Sequence, residues 1–155
     1  MKKYLFLLAA ILFAGCVANT APQSSKSYQV TIVSAMIKIN DVGFLHEYKN
    51  SINLQIYSSG INSANIKVSD KICVNKVCFS KKEFNEKFFK NVHYDEIFAD
   101  IITKKPIYEG KNLKKTECGF SQILNNGSLK YEICSNETKF QDTKNNVKII
   151  IRELK

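Results

Sequence analysis

Apolar and polar side chains alternate along several stretches of this chain with the period of two that half-buried β-strands show. Residues 28–40 are rich in β-branched side chains and have no helical stripe, so they are predicted to form one strand. Residues 52–57 alternate regularly, and Ile66 and Val68 suggest a further short strand. The first third of the chain is therefore predicted to form a sheet.

The pattern then changes to a helical one. Ser80 and Glu83 have the spacing of a capping box, in which a hydroxyl and a carboxylate pair with free amides at a helix start. Two short helices are predicted, at about 80–90 and 94–103. The apolar side chains expected on their inward faces are Phe84, Phe88, Ile97, Phe98, Ile101 and Ile102.

The last third of the chain again shows strand patterns. Strands are predicted at 117–124, 128–135, 138–142 and 147–154. Asn126-Gly127 between the first two is a strong hairpin signal, and Asn145-Asn146 separates the last two. The order of strands, helices and strands predicts an α+β fold, a mainly antiparallel sheet with both helices packed on one face.

The chain begins with a pattern typical of export signals. Lys2 and Lys3 precede an uncharged apolar run at residues 4–14, as in a secretory signal peptide. As a helix this run spans only about 16 Å, whereas the hydrocarbon core of a bilayer is about 30 Å thick. A permanent membrane-spanning helix is therefore not expected here.

The apolar run ends in Leu12-Phe-Ala-Gly-Cys16. This segment resembles the bacterial lipobox, in which small residues precede a cysteine that is acylated and becomes the new N-terminus. The resemblance implies a lipid-anchored protein of the cell envelope, because two or more acyl chains hold a protein stably on a membrane. Val17 replaces the Asp that retains such proteins in the inner membrane, which implies the outer membrane, on its periplasmic or surface face.

The predicted organisation therefore has three parts. Residues 1–15 form the signal peptide, residues 16–27 a lipidated tether, and residues 28–155 a single domain. Small and polar side chains dominate the segment after Cys16, which is typical of a flexible linker. A domain of this length can bury a core without a metal or cofactor, and none is predicted.

The four other cysteines of the chain are Cys73, Cys78, Cys118 and Cys134. An even number in an exported chain predicts disulfides. A turn at Asn75-Lys76 would set Cys73 opposite Cys78, which favours the pairs Cys73–Cys78 and Cys118–Cys134.

The second of these pairs depends on the hairpin register. A three-residue loop would set Cys118 opposite Cys134, whereas the apolar pattern favours Phe120 opposite Ile133, with the cysteines on opposite faces. A bulge near Gly119 would reconcile the two registers. The alternative interpretation is a structural zinc site with four cysteine ligands. Such sites normally have two pairs of cysteines that are each close in sequence, and only one such pair is present here.

The positive charge of the chain comes almost entirely from lysine. The net charge is +9, with 22 Lys and the single Arg152. Nucleic-acid binders usually cluster Arg for bidentate phosphate recognition, so no nucleic-acid partner is expected. The lysines are expected to form a solvated surface, with attraction to an anionic glycolipid near the membrane as the functional alternative.

Candidate catalytic chemistry is sparse, and no enzyme is predicted. His93 and Asp95 are of the residue types that act as a general base and the carboxylate that orients it. A histidine that simply lies between two helices, without a catalytic role, is the commoner interpretation. His46 is expected in a loop. The phenylalanines expected to fill the core, rather than line a ligand groove, are Phe84, Phe88, Phe89 and Phe98.

These observations favour a non-enzymatic envelope lipoprotein that acts as an interaction or assembly module, with envelope proteins or an anionic glycolipid as partners. The alternative is a carrier that holds a lipid or other amphiphile between the sheet and the helices. An apolar cavity under residues 81–103 would favour the carrier, whereas a filled core with an exposed patch would favour the interaction module.

Overall fold

The structure, a computed structural model, describes residues 21–155. These residues form eleven strands, two short α-helices and two three-residue 3₁₀ helices, Tyr108–Gly110 and Asn125–Gly127. The strands are β1 (Ser24–Val33), β2 (Lys38–Tyr48), β3 (Ser51–Ser58), β4 (Ile61–Val68), β5 (Lys71–Val74), β6 (Val77–Ser80), β7 (Leu113–Thr116), β8 (Gly119–Leu124), β9 (Leu129–Cys134), β10 (Glu137–Asp142) and β11 (Val147–Glu153). The helices are α1 (Lys81–Phe89) and α2 (Ile97–Ile102).

All eleven strands belong to one antiparallel sheet, in the order β6-β5-β4-β3-β2-β1-β11-β10-β9-β8-β7. Strands β1–β6 form one meander and β7–β11 form another. The two meanders meet where β1 pairs with β11, with Tyr28 opposite Glu153 and Val33 opposite Lys148. The predicted antiparallel sheet with two short helices is confirmed, although the sheet dominates the fold more than the predicted α+β class suggests.

The sheet must curl around the helices. Helix α1 contacts β5 and β6, while the ring of Phe89 in α1 lies 5.7 Å from that of Phe140 in β10. Strands β5 and β10 are six steps apart in the sheet, which would be about 29 Å if the sheet were flat. A nine-residue helix is only about 14 Å long, so the sheet has to wrap around it.

Helix α1 begins where the sequence predicts it. The hydroxyl of Ser80 accepts a hydrogen bond from the N–H of Glu83 at 3.2 Å, and Lys90 ends the helix in the left-handed conformation. Helix α2 is shorter than the predicted 94–103. Its start is delayed because the carbonyl of Tyr94 accepts a hydrogen bond from the side chain of Asn85 at 2.9 Å, which holds the preceding segment as a turn.

The inward faces of the helices fill the space inside the sheet. The four phenylalanines at their centre are fully buried: Phe84, Phe88, Phe89 and Phe98. The rings of Phe84 and Phe98 meet edge to face, with centroids 5.1 Å apart. Each buried side chain of this size stabilises the fold by roughly 1.5–3 kcal/mol, so these helices belong to the core.

The predictions for residues 28–48 need correction. The predicted strand 28–40 is two strands, because the hydroxyl of Ser34 accepts the N–H groups of Met36 and Ile37 and fixes a turn between them. Strand β1 also begins at Ser24, inside the predicted tether 16–27. His46 lies in β2 and not in a loop.

Residues 81–112 connect the two edge strands β6 and β7, and we call them the helical insert. The buried amide of Gln122 in β8 holds its C-terminal part. Its Oε1 accepts the N–H of Ile107 at 2.9 Å, and its Nε2 donates to the carbonyls of Ile107 and Lys111 at 2.9 and 2.7 Å. The hydroxyl of Tyr131 donates to the carbonyl of Lys105 at 3.0 Å. These bonds satisfy backbone groups that a helix-poor segment leaves without partners.

Candidate functional site

The predicted lipidation site, Cys16, and the signal peptide 1–15 lie outside the described residues. Sheet pairing has begun by Gln23, whose N–H donates to the carbonyl of Glu47 at 2.7 Å. Seven residues from Cys16 onward therefore precede the first paired position, and a chain of that length spans at most about 25 Å.

The two cysteine pairs favoured by the sequence lie at bonding distance in the structure. Cys73 and Cys78 are directly opposite in β5 and β6, with an S–S distance of 2.01 Å. Cys118 and Cys134 are joined at 2.02 Å. The first bridge closes the hairpin at one edge of the sheet, and the second ties the chain before β8 to the end of β9 near the other edge. Both bridges therefore reinforce hairpins, and neither has the Cys-x-x-Cys spacing of redox catalysts.

A glycine reconciles the second bridge with the apolar register. Phe120 lies opposite Ile133, as the apolar pattern favours, and Gly119 lies opposite Cys134. Cys118 is then one position beyond the ladder and reaches Cys134 diagonally. A Cβ atom on Gly119 would lie 2.2 Å from the carbonyl oxygen of Ile133, so only glycine permits this close approach.

His93 belongs to the helical insert, between α1 and α2, and is buried, with 5% of its surface exposed. Its Nδ1 shares a hydrogen bond with the hydroxyl of Tyr108, and its Nε2 has no partner among the described residues. Burial lowers the pKa of His93, although the carboxylate of Asp142 opposes this effect. Asp95 is exposed, and among the described residues no hydrogen bond joins it to His93. The structure therefore does not bring His93 and Asp95 together as a general base and its orienting carboxylate.

The outer face of β1–β3 carries a row of exposed and half-buried side chains that alternate with the core residues of these strands. Phe44 and Val42 in β2 are 38% and 39% exposed. Strand pairing places Tyr57 beside Val42, and Gln55 and Ser27 beside Phe44. We call this surface the amide–aromatic face and define it by Gln29, Val42, Phe44, His46, Gln55 and Tyr57.

Aromatic contacts organise the centre of this face. The rings of Phe44 and Tyr57 meet edge to face with centroids 5.7 Å apart. Phe44 and His46 lie 6.4 Å apart with nearly parallel rings. The Oγ of Ser25 and the Nδ1 of His46 share a hydrogen bond of 2.9 Å. These neighbours restrict the rotamers of the exposed rings, so the face presents a defined shape.

The face is also unusual in its charge. Outward positions of β1 and β3 carry only uncharged side chains, and β2 adds only Lys38 near one end and the imidazole of His46. The outward face of β10 and β11 is different, because Arg152 pairs with Glu137 at 2.5 Å and Lys139 pairs with the same carboxylate at 2.7 Å. The outer face of β1–β3 is therefore nearly uncharged, whereas the outer face of β10 and β11 carries paired charges.

The sequence interpretation missed this face, although a signal for it was present. Residues 38–48 contain outward Val42, Phe44 and His46 alternating with inward Gly43 and Leu45. The period-two alternation of apolar and polar residues is not visible in this strand, because both of its faces carry large apolar side chains. Strand pairing was needed to show that these side chains lie next to Gln55 and Tyr57.

Several open depressions lie on the surface, away from the phenylalanine core. One of about 600 Å³ is lined by Tyr108, Lys111 and the turn at residues 123–127. Another of about 520 Å³ lies between α2 and the strand turns near Lys49 and Ser69. Both have polar walls, and neither is lined by the four core phenylalanines. Between the sheet and the helices, the rings of Phe84, Phe88 and Phe98 are fully buried and contact one another, with centroids 5.0–5.3 Å apart.

Neither helix in residues 21–155 is long and apolar enough to cross a bilayer. Within the same part of the chain, no group of three or more His, Cys, Asp or Glu side chains converges as metal ligands. No protein-family model matches the chain, and neither curated proteins nor solved structures gave a significant match. The functional argument therefore depends on the residues themselves.

Proposed function

We propose that this chain is a lipid-anchored protein of the cell envelope, without catalytic activity of its own, that presents the amide–aromatic face to a partner. The observation that supports this proposal is the contrast between a filled core and exposed aromatic side chains. Phe84 and Phe98 are fully buried, whereas Phe44 remains 38% exposed on the outer face of a central strand. Exposed aromatic clusters on folded domains commonly mark interaction sites.

The envelope location is supported by two independent features. The leader and Cys16 resemble the export and acylation signals of bacterial lipoproteins, and Val17 favours the outer membrane. The two disulfides are consistent with an oxidising compartment outside the cytoplasm. An anchor at Cys16 would hold the first strand within about 25 Å of the lipid surface. The domain would then meet envelope proteins or glycolipid at short range.

A site-specific photocrosslinker tests this proposal in intact cells. It replaces Phe44 in one variant and Ile123 in a matched control, because Ile123 is also an exposed apolar residue on the outer face, in β8. A defined adduct from position 44, absent from position 123, is expected. The proposal is wrong if position 44 gives no adduct, or if both positions give the same ones.

The alternative function, an amphiphile carrier, requires that the helical insert can leave the inner face of the sheet. The insert crosses the inner face of the sheet and contributes eight fully buried apolar side chains: Phe84, Phe88, Phe89, Ile97, Phe98, Ile101, Ile102 and Ile107. Together these contribute roughly 12–24 kcal/mol of apolar burial. This gross contribution is as large as, or larger than, the net stability of about 5–15 kcal/mol of a typical domain, so the insert would leave the sheet only if an amphiphile replaced its contacts.

Mass spectrometry of the purified full-length protein distinguishes the two candidates. Extraction of the protein from membranes in mild detergent, followed by denaturation, would release any amphiphile held inside the sheet. A stoichiometric lipid other than the acyl chains on Cys16 would favour the carrier. Recovery of the protein without such a lipid, together with crosslinking from position 44, would favour the interaction module.

A further inference from the structure

Two neighbouring hairpins end side by side at the end of the sheet opposite to the start of β1. The β1–β2 hairpin turns at residues 34–37 and the β10–β11 hairpin at residues 143–146, and they are adjacent because β1 pairs with β11. Beside these turns, strand pairing sets one residue from each of five strands in a row: Lys38, Val33, Lys148, Gln141 and Lys130. We call this row, together with the two turns, the hairpin edge.

The hairpin edge carries exposed lysines that form no ion pair within residues 21–155: Lys38, Lys130, Lys144 and Lys148. Consecutive lysines of the row lie two strands apart, which corresponds to about 9.6 Å between their backbones. This separation is close to the Debye length of about 8 Å at physiological ionic strength, so the lysines still repel one another. A negatively charged surface would relieve this repulsion.

The carboxylates around the hairpin edge leave this charge largely in place. Asp142 is buried, and its Oδ1 accepts two backbone N–H groups of the 143–146 turn at 3.1 and 3.3 Å. Asp41 is opposite a buried residue of β1 and therefore lies on the inward side of β2. Glu132 lies two residues from Lys130 along β9, where it is opposite Lys139. The hairpin edge therefore has a net positive charge.

The tip of the β1–β2 hairpin is apolar, although turns usually carry polar residues. Ala35 is exposed, and Met36 and Ile37 are partly buried. The hydroxyl of Ser34 accepts the N–H groups of Met36 and Ile37 at 3.1 and 3.0 Å, which holds the tip in shape. Val33, beside the tip, is 36% exposed. Apolar side chains flanked by lysines suit the boundary between the headgroups and the acyl chains of an anionic lipid layer.

We propose that the hairpin edge docks onto an anionic lipid surface, with its lysines at the phosphate headgroups and the tip at Ala35 against the acyl chains. A soluble anionic polymer would also attract the lysines, but it would gain nothing from an apolar tip.

The tether determines which lipid surface the hairpin edge can meet. Residues 23–35 extend about 40 Å along β1, whereas the seven residues from Cys16 onward span at most about 25 Å. In end-on contact the edge therefore meets a lipid surface other than the membrane that holds the anchor. This step rests on the proposed function, because the anchor at Cys16 belongs to it.

Fluorescence quenching between two sets of vesicles tests this proposal. The full-length protein is anchored through Cys16 in vesicles of phosphatidylcholine, and separate acceptor vesicles carry brominated acyl chains. The chain contains no tryptophan, so Ala35→Trp places a single fluorophore at the tip. Asn50→Trp, in the β2–β3 turn at the opposite end of the sheet, is the matched control. Acceptors that contain phosphatidylglycerol are expected to quench only the Ala35→Trp variant, and acceptors of phosphatidylcholine alone neither variant.

The contribution of the lysines is measured in the Ala35→Trp protein. Lys130→Gln and Lys148→Gln are each expected to raise the acceptor concentration at half-maximal quenching about fivefold, the affinity that one lysine contributes near an anionic surface. Lys49→Gln, in the β2–β3 turn, is the matched control and is expected to leave this concentration unchanged. Thermal unfolding checks that each variant folds.

The proposal is wrong if phosphatidylglycerol acceptors fail to quench the Ala35→Trp variant, if they quench the Asn50→Trp variant equally, or if phosphatidylcholine acceptors act as strongly. Unchanged quenching in both lysine variants would also overturn it. Lysine-dependent binding to an acidic polysaccharide, without quenching by vesicles, would assign the edge to a soluble polymer instead.

Failure of the proposed function gives a different result. A protein without the anchor would not remain on the first vesicles, and quenching of the released protein would still test the hairpin edge. Absence of a crosslink from position 44 would reject the partner face and leave the quenching result unaffected.

Discussion

The buried amide of Gln122 provides a direct test of how the helical insert is held in the sheet. Its side chain is 1% exposed and makes three hydrogen bonds of 2.7–2.9 Å to the backbone of Ile107 and Lys111. Substitution of leucine keeps the approximate size of the side chain and removes all three bonds. The N–H of Ile107 and two carbonyl oxygens would then be left inside the protein without these partners.

The expected loss of stability follows from these contacts. A hydrogen bond contributes about 1 kcal/mol net, and a buried group left without a partner costs about 1–3 kcal/mol. Three lost bonds therefore predict that Gln122→Leu lowers the free energy of unfolding by about 3–5 kcal/mol. The upper part of the range applies if water cannot reach the vacated groups, and the lower part applies if the segment around Ile107 relaxes toward solvent.

Urea denaturation with both disulfides intact, monitored by circular dichroism, measures this effect. Gln141→Leu is the matched control, because Gln141 is an exposed strand residue in β10. Its substitution is expected to change the free energy of unfolding by less than about 0.5 kcal/mol. A loss below about 1 kcal/mol for Gln122→Leu, or equal losses for both variants, would refute the role assigned to this amide. Hydrogen exchange should also accelerate at the Ile107 amide in Gln122→Leu.

Three further predictions follow from features described above. The Cys16→Ala variant is expected to lose acylation and to leave the membrane fraction, as checked by metabolic fatty-acid labelling and fractionation; a variant still processed and membrane-bound would contradict the anchor. Burial places the pKa of His93 below its ordinary value of 6.5, so the unfolded chain binds more protons and stability should fall as pH decreases through 6.5. The urea midpoint of the His93→Phe variant should depend less on pH between 7.5 and 5.5 than the midpoint of the unmodified protein does. An equal pH dependence in the two proteins would contradict the assignment of this effect to His93. Replacing both Cys118 and Cys134 by Ser should lower the free energy of unfolding by about 3 kcal/mol, and replacing both Cys73 and Cys78 should lower it by about 2 kcal/mol. The first loss is larger because the bridge that closes the longer loop restricts the unfolded chain more. A larger loss for the Cys73–Cys78 variant in urea denaturation would contradict this prediction.

The predictions from sequence succeeded where local physics decides the outcome. The capping residues Ser80 and Glu83 determine where α1 begins, and no distant contact is needed to place it. The turn between Cys73 and Cys78 likewise follows from its own length. Period-two patterns in the last third of the chain located β8 to β11 to within two residues at each end.

Prediction failed where tertiary contacts decide the outcome. Strand β7 has lysines at Lys114 and Lys115 and little apolar character, so only its pairing with β8 makes it a strand. The pairing of β1 with β11 joins residues more than 100 positions apart, and no local pattern encodes it. The amide–aromatic face depends on three strands lying side by side, so its composition becomes visible only after they are paired.

The pairing of β1 with β11 has a consequence for how the molecule reaches its native state. Strand β11, which follows every other described strand along the chain, lies in the middle of the sheet, while the two edge strands β6 and β7 come from the middle of the described sequence. A chain that ended before Val147 would contain strands β1–β6 and β7–β10 with no strand between them to join the two groups. Loss of the seven-residue strand β11 would therefore divide the sheet at its centre, so the sheet can be completed only after residues 147–153 have joined it.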